Sequence, residues 1–97
     1  MPLMWRVLVA RRAVKKAESL GVLDKFMSFL QDLQSRLDDD PEGTIKALRG
    51  EPVIRAAGYS GRRIRMGDYR IFYYIDYERR EVRIFWIEHR RKAYKKR

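Results

Sequence analysis

The side chains that could do chemistry in this 97-residue chain are almost all cationic, and most of them lie in its second half. A single histidine and the absence of cysteine exclude a two-histidine acid–base site, thiolate catalysis and cysteine-ligated zinc. The sequence also lacks a phosphate-binding loop, a dinucleotide-binding glycine motif and the nucleophile elbow of serine hydrolases. The remaining candidates are Arg62, Arg63, Arg65, Arg70, His89, Arg90, Arg91, Lys92, Tyr94, Lys95, Lys96 and Arg97.

A cationic set of this kind can promote RNA cleavage without a metal ion, because RNA carries its own nucleophile, the ribose 2′-hydroxyl. The protein must then align that hydroxyl, stabilise the extra negative charge around phosphorus and assist proton transfer. Fixed arginines supply the charge stabilisation. A tyrosine, with a reference pKa of about 10, moves a proton only where its surroundings assist. Charge alone favours binding of nucleic acid without cleavage.

Positive charge is distributed unevenly along the chain, whose formal net charge is +10. Residues 1–48 hold 8 Lys and Arg against 7 Asp and Glu, whereas residues 49–97 hold 15 against 6. Of those 15 cations 12 are arginines, which match phosphate geometry and stack on bases better than lysines do. Such a region typically binds a polyanion. Adaptation to high temperature, which also raises charged content, is the alternative explanation.

The elements that must position these side chains begin with a strand and a helical hairpin. Met4–Ala10 is apolar enough for a buried strand, and Arg11–Leu20 has the one-face spacing of a helix that ends at Gly21. Val22–Leu37 repeats apolar residues in steps of three and four, which predicts a second helix packed on the core. Asp38-Asp39-Asp40 has no further ligand at metal-binding spacing, and it predicts a solvated loop with a helix N-cap.

The second half of the chain predicts an antiparallel sheet. A short turn at Pro41–Leu48 precedes it, followed by an irregular connection over Arg49–Gly61, which holds three glycines and a proline. Aromatic and β-branched residues then predict strands joined by tight turns at residues 67–68 and 77–80. These strands are Arg62–Met66, Tyr69–Asp76 and Glu81–Glu88. His89–Arg97 is a basic tail with room for a helical turn.

Together these elements predict one α+β domain over residues 1–97, with the helical hairpin on one face of the sheet and the other face open. Strand alternation places Arg70 on that open face, and it places Arg63 and Arg65 on one face of the preceding strand. If the strands align, these arginines converge there with little burial. The sequence has no apolar run of the roughly 20 residues that a membrane span needs. Without a signal-peptide core at its start, the chain is expected in the cytoplasm.

Several segments taken together resemble the RelE/ParE toxin superfamily, and its RelE branch most closely. The shared pattern is an arginine strand, a Gly-Asp-Tyr-Arg turn and strand, a hairpin, and a His-Arg segment that closes on a tyrosine. The segments that carry it are Lys46–Gly50, Arg65–Tyr73, Ile75-Asp76, Val82-Arg83-Ile84 and Ile87–Tyr94. The resemblance spans nearly the whole chain and implies a RelE-like fold.

The resemblance implies an mRNA interferase, a toxin that cuts mRNA in the ribosomal A site without a metal ion or another cofactor. It also implies an acidic, RelB-like antitoxin as partner, and it does not imply association with a membrane. By position, Arg70 and Arg90 would stabilise the scissile phosphate, and Tyr94 would orient the substrate or assist proton transfer. The residues left for RNA binding are Arg62, Arg63, Arg65, His89, Arg91, Lys92, Lys95 and Lys96.

Gly61 departs from the family pattern, because some members carry at this position a lysine proposed as the general base. The general base of this chain is therefore unassigned, with Arg62 as a neighbouring cation that could compensate. The alternative function is that of the ParE branch, which shares the fold and inhibits DNA gyrase. A third is that of a relative that binds nucleic acid without cutting it. RelE-type cleavage needs the set of Arg70, Arg90 and Tyr94, whereas ParE-type inhibition does not.

Overall fold

The computed structural model describes residues 4–56 and 58–93. Its elements are β1 (Arg6–Val9), α1 (Arg11–Ser19), α2 (Leu23–Asp39), α3 (Pro41–Arg49), β2 (Val53–Ala56), β3 (Tyr59–Met66), β4 (Tyr69–Asp76), β5 (Glu81–His89) and α4 (Arg90–Ala93). The strands form one five-stranded sheet in the order β1-β5-β4-β3-β2, and helices α1, α2 and α3 contribute to the core on one face of this sheet. The predicted α+β class is confirmed.

The core lies between α2 and the central strands. Leu30, Leu33 and Leu37 form part of the predicted apolar stripe of α2, and all three are buried. They belong to one cluster with Ile71 of β4 and Ile84 of β5. This burial explains why nearly every residue of the two central strands that faces the helices is apolar.

Within the core, Tyr73 of β4 joins the sheet to α3. Its hydroxyl donates a hydrogen bond to the carbonyl of Leu48, at 2.6 Å. Burial raises the pKa of the Tyr73 hydroxyl, because water no longer stabilises the phenolate. This tyrosine therefore packs as a neutral core residue.

Gln34 of α2 covers the free edge of β1, which pairs in parallel with β5 on its other side. The Gln34 Oε1 accepts a hydrogen bond from the N–H of Val7 at 2.8 Å, and its Nε2 donates to the carbonyl of Trp5 at 2.9 Å. These contacts satisfy backbone groups that an edge strand otherwise leaves exposed. The side-chain amide thus stands in for a neighbouring strand.

Three predictions for the middle of the chain are wrong. Asp38 and Asp39 are the last residues of α2 rather than part of a solvated loop, because the helix continues to the N-cap of the next one. Residues 41–49 form a helix of 9 residues rather than a short turn, although Asp40 is its N-cap as predicted and accepts from the N–H of Gly43 at 3.1 Å. The connection over residues 49–61 is not irregular, because Val53–Ala56 pairs antiparallel with a β3 strand that begins earlier than predicted. Gly58, with φ +81°, lies in the turn of this hairpin.

The C-terminal meander follows the predicted boundaries. Strand β4 has the predicted ends, β5 is one residue longer, and Gly67 adopts φ +58° in the turn between β3 and β4. A β-bulge interrupts the pairing of β4 with β5, so that Phe72 pairs with Trp86 and Tyr73 with Ile84. Within the described ranges, no helix combines the length and the apolar character needed to cross a membrane.

Candidate functional site

The predicted arginine surface is present on the sheet face that is turned away from the helices. Arg65 of β3 is directly opposite Arg70 of β4, and Arg63 is directly opposite Phe72. On the other side of β4, Arg70 faces Glu88 of β5. The side chains of this open face include Arg63, Arg65, Arg70, Phe72, Tyr74, Arg83, Phe85, Trp86 and Glu88. The expectation that strand registers bring the arginines together is confirmed.

Aromatic side chains form a layer on the open face, between the sheet backbone and the solvent. Phe72 and Phe85 are only 1% and 4% exposed, although they lie outside the core between the helices and the sheet. The ring of Phe85 lies 6.2 Å from the ring of Phe72 and 6.2 Å from that of Tyr74, measured between centroids. Phe85 is the extra residue of the bulge, which aims it at this face beside Trp86. Simple strand alternation does not predict this placement.

Gly61 of β3 lies beneath this aromatic layer, which explains its departure from the family pattern. A Cβ atom at this position would lie 2.8 Å from the ring of Phe85 and 2.5 Å from the carbonyl oxygen of Tyr73. Both contacts are far inside van der Waals distance, so the backbone would have to move. The lysine that some relatives carry here therefore has no room in this chain.

Arg70 is buried, contrary to the expectation of little burial. It is 4% exposed, and its Nη1 donates to the carbonyl of Gly67 at 3.1 Å and to that of Tyr69 at 2.9 Å. The side chain therefore folds back onto the β3–β4 turn. A cation held in this way contributes a fixed positive charge to the site, and it also holds the turn in place.

Arg90 reaches the same turn from the start of α4. Its backbone N–H donates to the carbonyl of Asp68 at 2.7 Å, and its Nε lies 3.7 Å from the Asp68 Oδ1. The side chain is 54% exposed, as expected for a residue that meets a ligand. Residues 67 and 68 thus contact both arginines that the resemblance places at the scissile phosphate.

Arg70 lies between a cation on one neighbouring strand and a carboxylate on the other. Arg65 and Arg70 are direct cross-strand neighbours, and like charges in this relation destabilise a sheet. Glu88 is opposite Arg70, but one of its oxygens accepts from Trp86 Nε1 at 3.3 Å. An anion bound at this end of the open face would relieve the repulsion between the two arginines.

The other predicted site residues do not all lie beside Arg70 and Arg90. Arg62 lies on the opposite sheet face from Arg63 and donates to the carbonyl of Glu51 at 2.7 Å, so the structure separates it from the set. The His89 ring lies 5.3 Å from the ring of Tyr69, and its Nδ1 accepts from the N–H of Arg91 at 3.2 Å, which indicates a structural role. Arg91 and Lys92 are exposed on α4. The positions predicted for Tyr94, Lys95, Lys96 and Arg97 lie outside the described residues.

No cluster of three or more His, Asp or Glu side chains able to hold a metal ion occurs in residues 4–56 and 58–93. What the described site offers instead is positive charge beside aromatic rings. This combination suits binding of a single-stranded nucleic acid, because phosphates pair with the cations and the exposed ring of Tyr74 is accessible to a base.

Comparison with known proteins identifies the family. Residues 7–94 match the family model of the ParE toxin of type II toxin–antitoxin systems, parDE. The chain is also similar to a solved archaeal RelE–RelB complex from Pyrococcus horikoshii OT3, with 25% sequence identity and a TM-score of 0.58. That alignment covers 93% of this chain and 99% of the archaeal chain. No curated protein sequence matches the chain. The chain therefore belongs to the ParE toxin family of type II toxin–antitoxin systems, and it is a RelE-like toxin of the RelE/ParE superfamily.

Proposed function

We propose that this toxin inhibits translation by cleaving mRNA in the ribosomal A site. The observation that carries the proposal is the direct opposition of Arg65 and Arg70, with Arg90 anchored to the same turn. Three cations around one turn match a phosphate that gains negative charge as its bond is cut. The repulsion between Arg65 and Arg70, which Glu88 opposite Arg70 offsets in part, favours binding of such an anion.

In the proposed reaction the ribose 2′-oxygen attacks phosphorus while the bond to the 5′-oxygen breaks. The 2′-hydroxyl loses its proton to an acceptor, and the leaving 5′-oxygen gains one. Arg90, half exposed, contacts the phosphate directly, whereas Arg70 acts from its buried position as a fixed charge. Desolvation strengthens the effect of such a charge on the transition state. Tyr94 is proposed to orient the ribose or to assist proton transfer.

The ribosome is proposed to supply what the described site lacks. Gly61 leaves no lysine base, and His89 is engaged with Tyr69 and Arg91. Stabilisation of charge without a strong acid–base pair makes the rate depend on alignment of the 2′-oxygen with the scissile bond. A decoding site that holds mRNA in a fixed geometry would provide this alignment.

Inhibition of DNA gyrase is the second candidate function, and the match to the ParE toxin family favours it. The two functions place different demands on the open face. Cleavage requires the cations at the β3–β4 turn, whereas inhibition by binding to gyrase does not require a phosphate to be stabilised. The effect of removing Arg90 therefore separates the two candidates.

Two assays in parallel test the proposal: cleavage of mRNA on purified ribosomes, and supercoiling by purified gyrase. Arg90→Ala should reduce the cleavage rate by about 100-fold or more. Arg79→Ala is the matched control, because it removes one exposed arginine from the β4–β5 turn, away from Arg90. Gyrase inhibition without ribosomal cleavage by the unmodified toxin would instead establish the second function. Failure of both activities would leave a toxin relative that only binds nucleic acid.

We also propose that an acidic, RelB-like antitoxin holds the toxin inactive by covering the open face and the α4 cations. The similarity to a RelE crystallised with RelB supports this partner. An acidic segment with apolar anchors would match both the arginines and the aromatic layer beneath them. Co-expression with the neighbouring reading frame tests the proposal through recovery of growth and co-purification of the two proteins.

A further inference from the structure

Helix α1 contains a second concentration of positive charge, in the half of the chain whose net charge is close to zero. Arg11, Arg12, Lys15 and Lys16 occupy four of its 9 positions, against one acidic residue, Glu18. The buried residues are Ala13 and Ala17, so the four cations share the outward part of the helix.

The position of α1 brings these cations to the open face. Strand β1 ends beside the middle of β5, and the chain then continues along β5 as a helix, with the N–H of Ala10 donating to the carbonyl of Ile84 at 2.9 Å. The Arg12 Nε donates to the carbonyl of Phe85 at 3.3 Å. Helix α1 thus borders the stretch of β5 that contributes Phe85, Trp86 and Glu88 to the open face.

Two rows of side chains continue from the open face onto α1. In one row, Arg65, Arg70 and Glu88 follow one another across three strands, and Lys16 Nζ lies 3.6 Å from Glu88 Oε1. In the other row, Arg63, Phe72 and Trp86 are neighbours, and the guanidinium of Arg12 lies 5.3 Å from the centre of the Trp86 ring. In the second row the cations thus continue from the sheet onto α1, whereas in the first row Glu88 lies between Arg70 and Lys16.

The N-terminal end of α1 is poorly suited to helix stability. The helix starts with two arginines, its first turn holds no acidic residue, and Ala10 provides no side-chain N-cap. Cations at the N-terminal end oppose the helix dipole, and an uncapped end leaves backbone N–H groups without partners. Residues that break local rules of this kind are typical of functional surfaces. An anionic ligand would offset the unfavourable charge.

We propose that α1 is a second arm of the RNA-binding surface, on the side of Trp86 away from Arg63. Arg11, Arg12, Lys15 and Lys16 bind phosphates of the single strand that extends from the cleaved nucleotide. RNA rather than an acidic protein is the favoured ligand, because Arg12 lies over the half-buried ring of Trp86, in the row that starts at Arg63. This inference deepens the proposed function and rests on RNA being the ligand.

The test uses the double variant Arg11→Gln/Lys15→Gln, whose side chains are exposed and lie off the Trp86 contacts. Binding of a 2′-O-methyl uridine dodecamer, which cannot be cleaved through a 2′-hydroxyl, is measured over a range of salt concentrations. Each phosphate contact with a single strand contributes about 0.7 to the slope of log K against log salt. Losing two contacts should lower the magnitude of the slope by about 1.4.

The matched control is Lys46→Gln/Arg49→Gln, which removes the same charge from α3 on the helix-bearing side of the sheet. This control should leave the slope nearly unchanged. Equal reductions in the two double variants would show an effect of net charge alone and would overturn the proposal, as would an unchanged slope in the α1 variant. Equal losses of binding to the RNA and to poly-glutamate would assign α1 to acidic proteins instead. Because the assay contains neither ribosomes nor gyrase, its result is independent of the cleavage assay.

Discussion

Arg70 holds the β3–β4 turn as well as contributing charge. Its guanidinium satisfies the carbonyls of Gly67 and Tyr69 in a buried position, and hydrogen bonds to a charged group contribute about 1.5–3 kcal/mol each. Because both bonds come from one nitrogen and are not fully additive, Arg70→Ala should lower the free energy of unfolding by about 2–4 kcal/mol. Arg90→Ala, at a half-exposed residue, should change it by less than about 0.5 kcal/mol.

Urea denaturation of the two variants checks this difference in stability. Arg70→Lys is the informative companion, because it keeps the charge but replaces the planar guanidinium, whose Nη1 donates to both carbonyls, by a smaller ammonium group. It should be destabilised, though less than the alanine variant. Equal stability of Arg70→Ala and the unmodified toxin would mean that the buried side chain does not hold the turn.

Gly61 is required by packing, so restoring the lysine found in some relatives should not restore a general base. Gly61→Lys and Gly61→Ala should both lower the free energy of unfolding, by about 1–3 kcal/mol or more, because a Cβ atom collides with Phe85 and Tyr73. Ser60→Ala, at the exposed neighbouring position, is the control and should have little effect. A lysine variant that is both stable and faster at cleavage would contradict this interpretation of Gly61.

At the scale of elements, Gln34 provides a link between α2 and β1 that apolar periodicity does not reveal. Gln34→Ala leaves the N–H of Val7 and the carbonyl of Trp5 without their described side-chain partner, which should cost about 1–3 kcal/mol in unfolding free energy. Gln31→Ala, at an exposed position on the same helix, should stay within about 0.5 kcal/mol of the unmodified toxin. Thermal or urea denaturation measures both, and similar losses would show that β1 does not depend on this amide.

The elements that could be predicted are those whose pattern is local and repeated. The apolar stripe of α2 repeats with the period of a helix, and the side chains of β4 alternate with the period of a strand. Both elements are confirmed. Strand β2 has 4 residues beside a proline, and it is a strand only because β3 pairs with it. The bulge at Phe85 and the place of α1 beside β5 likewise depend on contacts between distant segments. For this reason the arginines of the open face could be predicted from sequence, whereas the burial of Arg70 and the α1 cations could not.

At the scale of the whole molecule, charge should control how fast the antitoxin associates. With a net charge of +10, the toxin should attract an acidic partner over long distances, and salt should screen this attraction. The association rate should fall steeply as salt rises, while apolar contacts keep the dissociation rate nearly constant. Stopped-flow or surface-binding kinetics with the co-purified antitoxin measures both rates. A salt effect confined to the dissociation rate would argue against electrostatic steering.

The most direct test of the proposed function compares free mRNA with mRNA held on a ribosome. Primer extension maps the cuts that the toxin makes in each substrate at equal RNA concentration. Because the described site supplies charge but no strong acid–base pair, cuts should fall within the A-site codon of ribosome-bound mRNA, with only weak cleavage of free mRNA. Equal cleavage of the two substrates, or no cleavage on the ribosome, would contradict the proposed function.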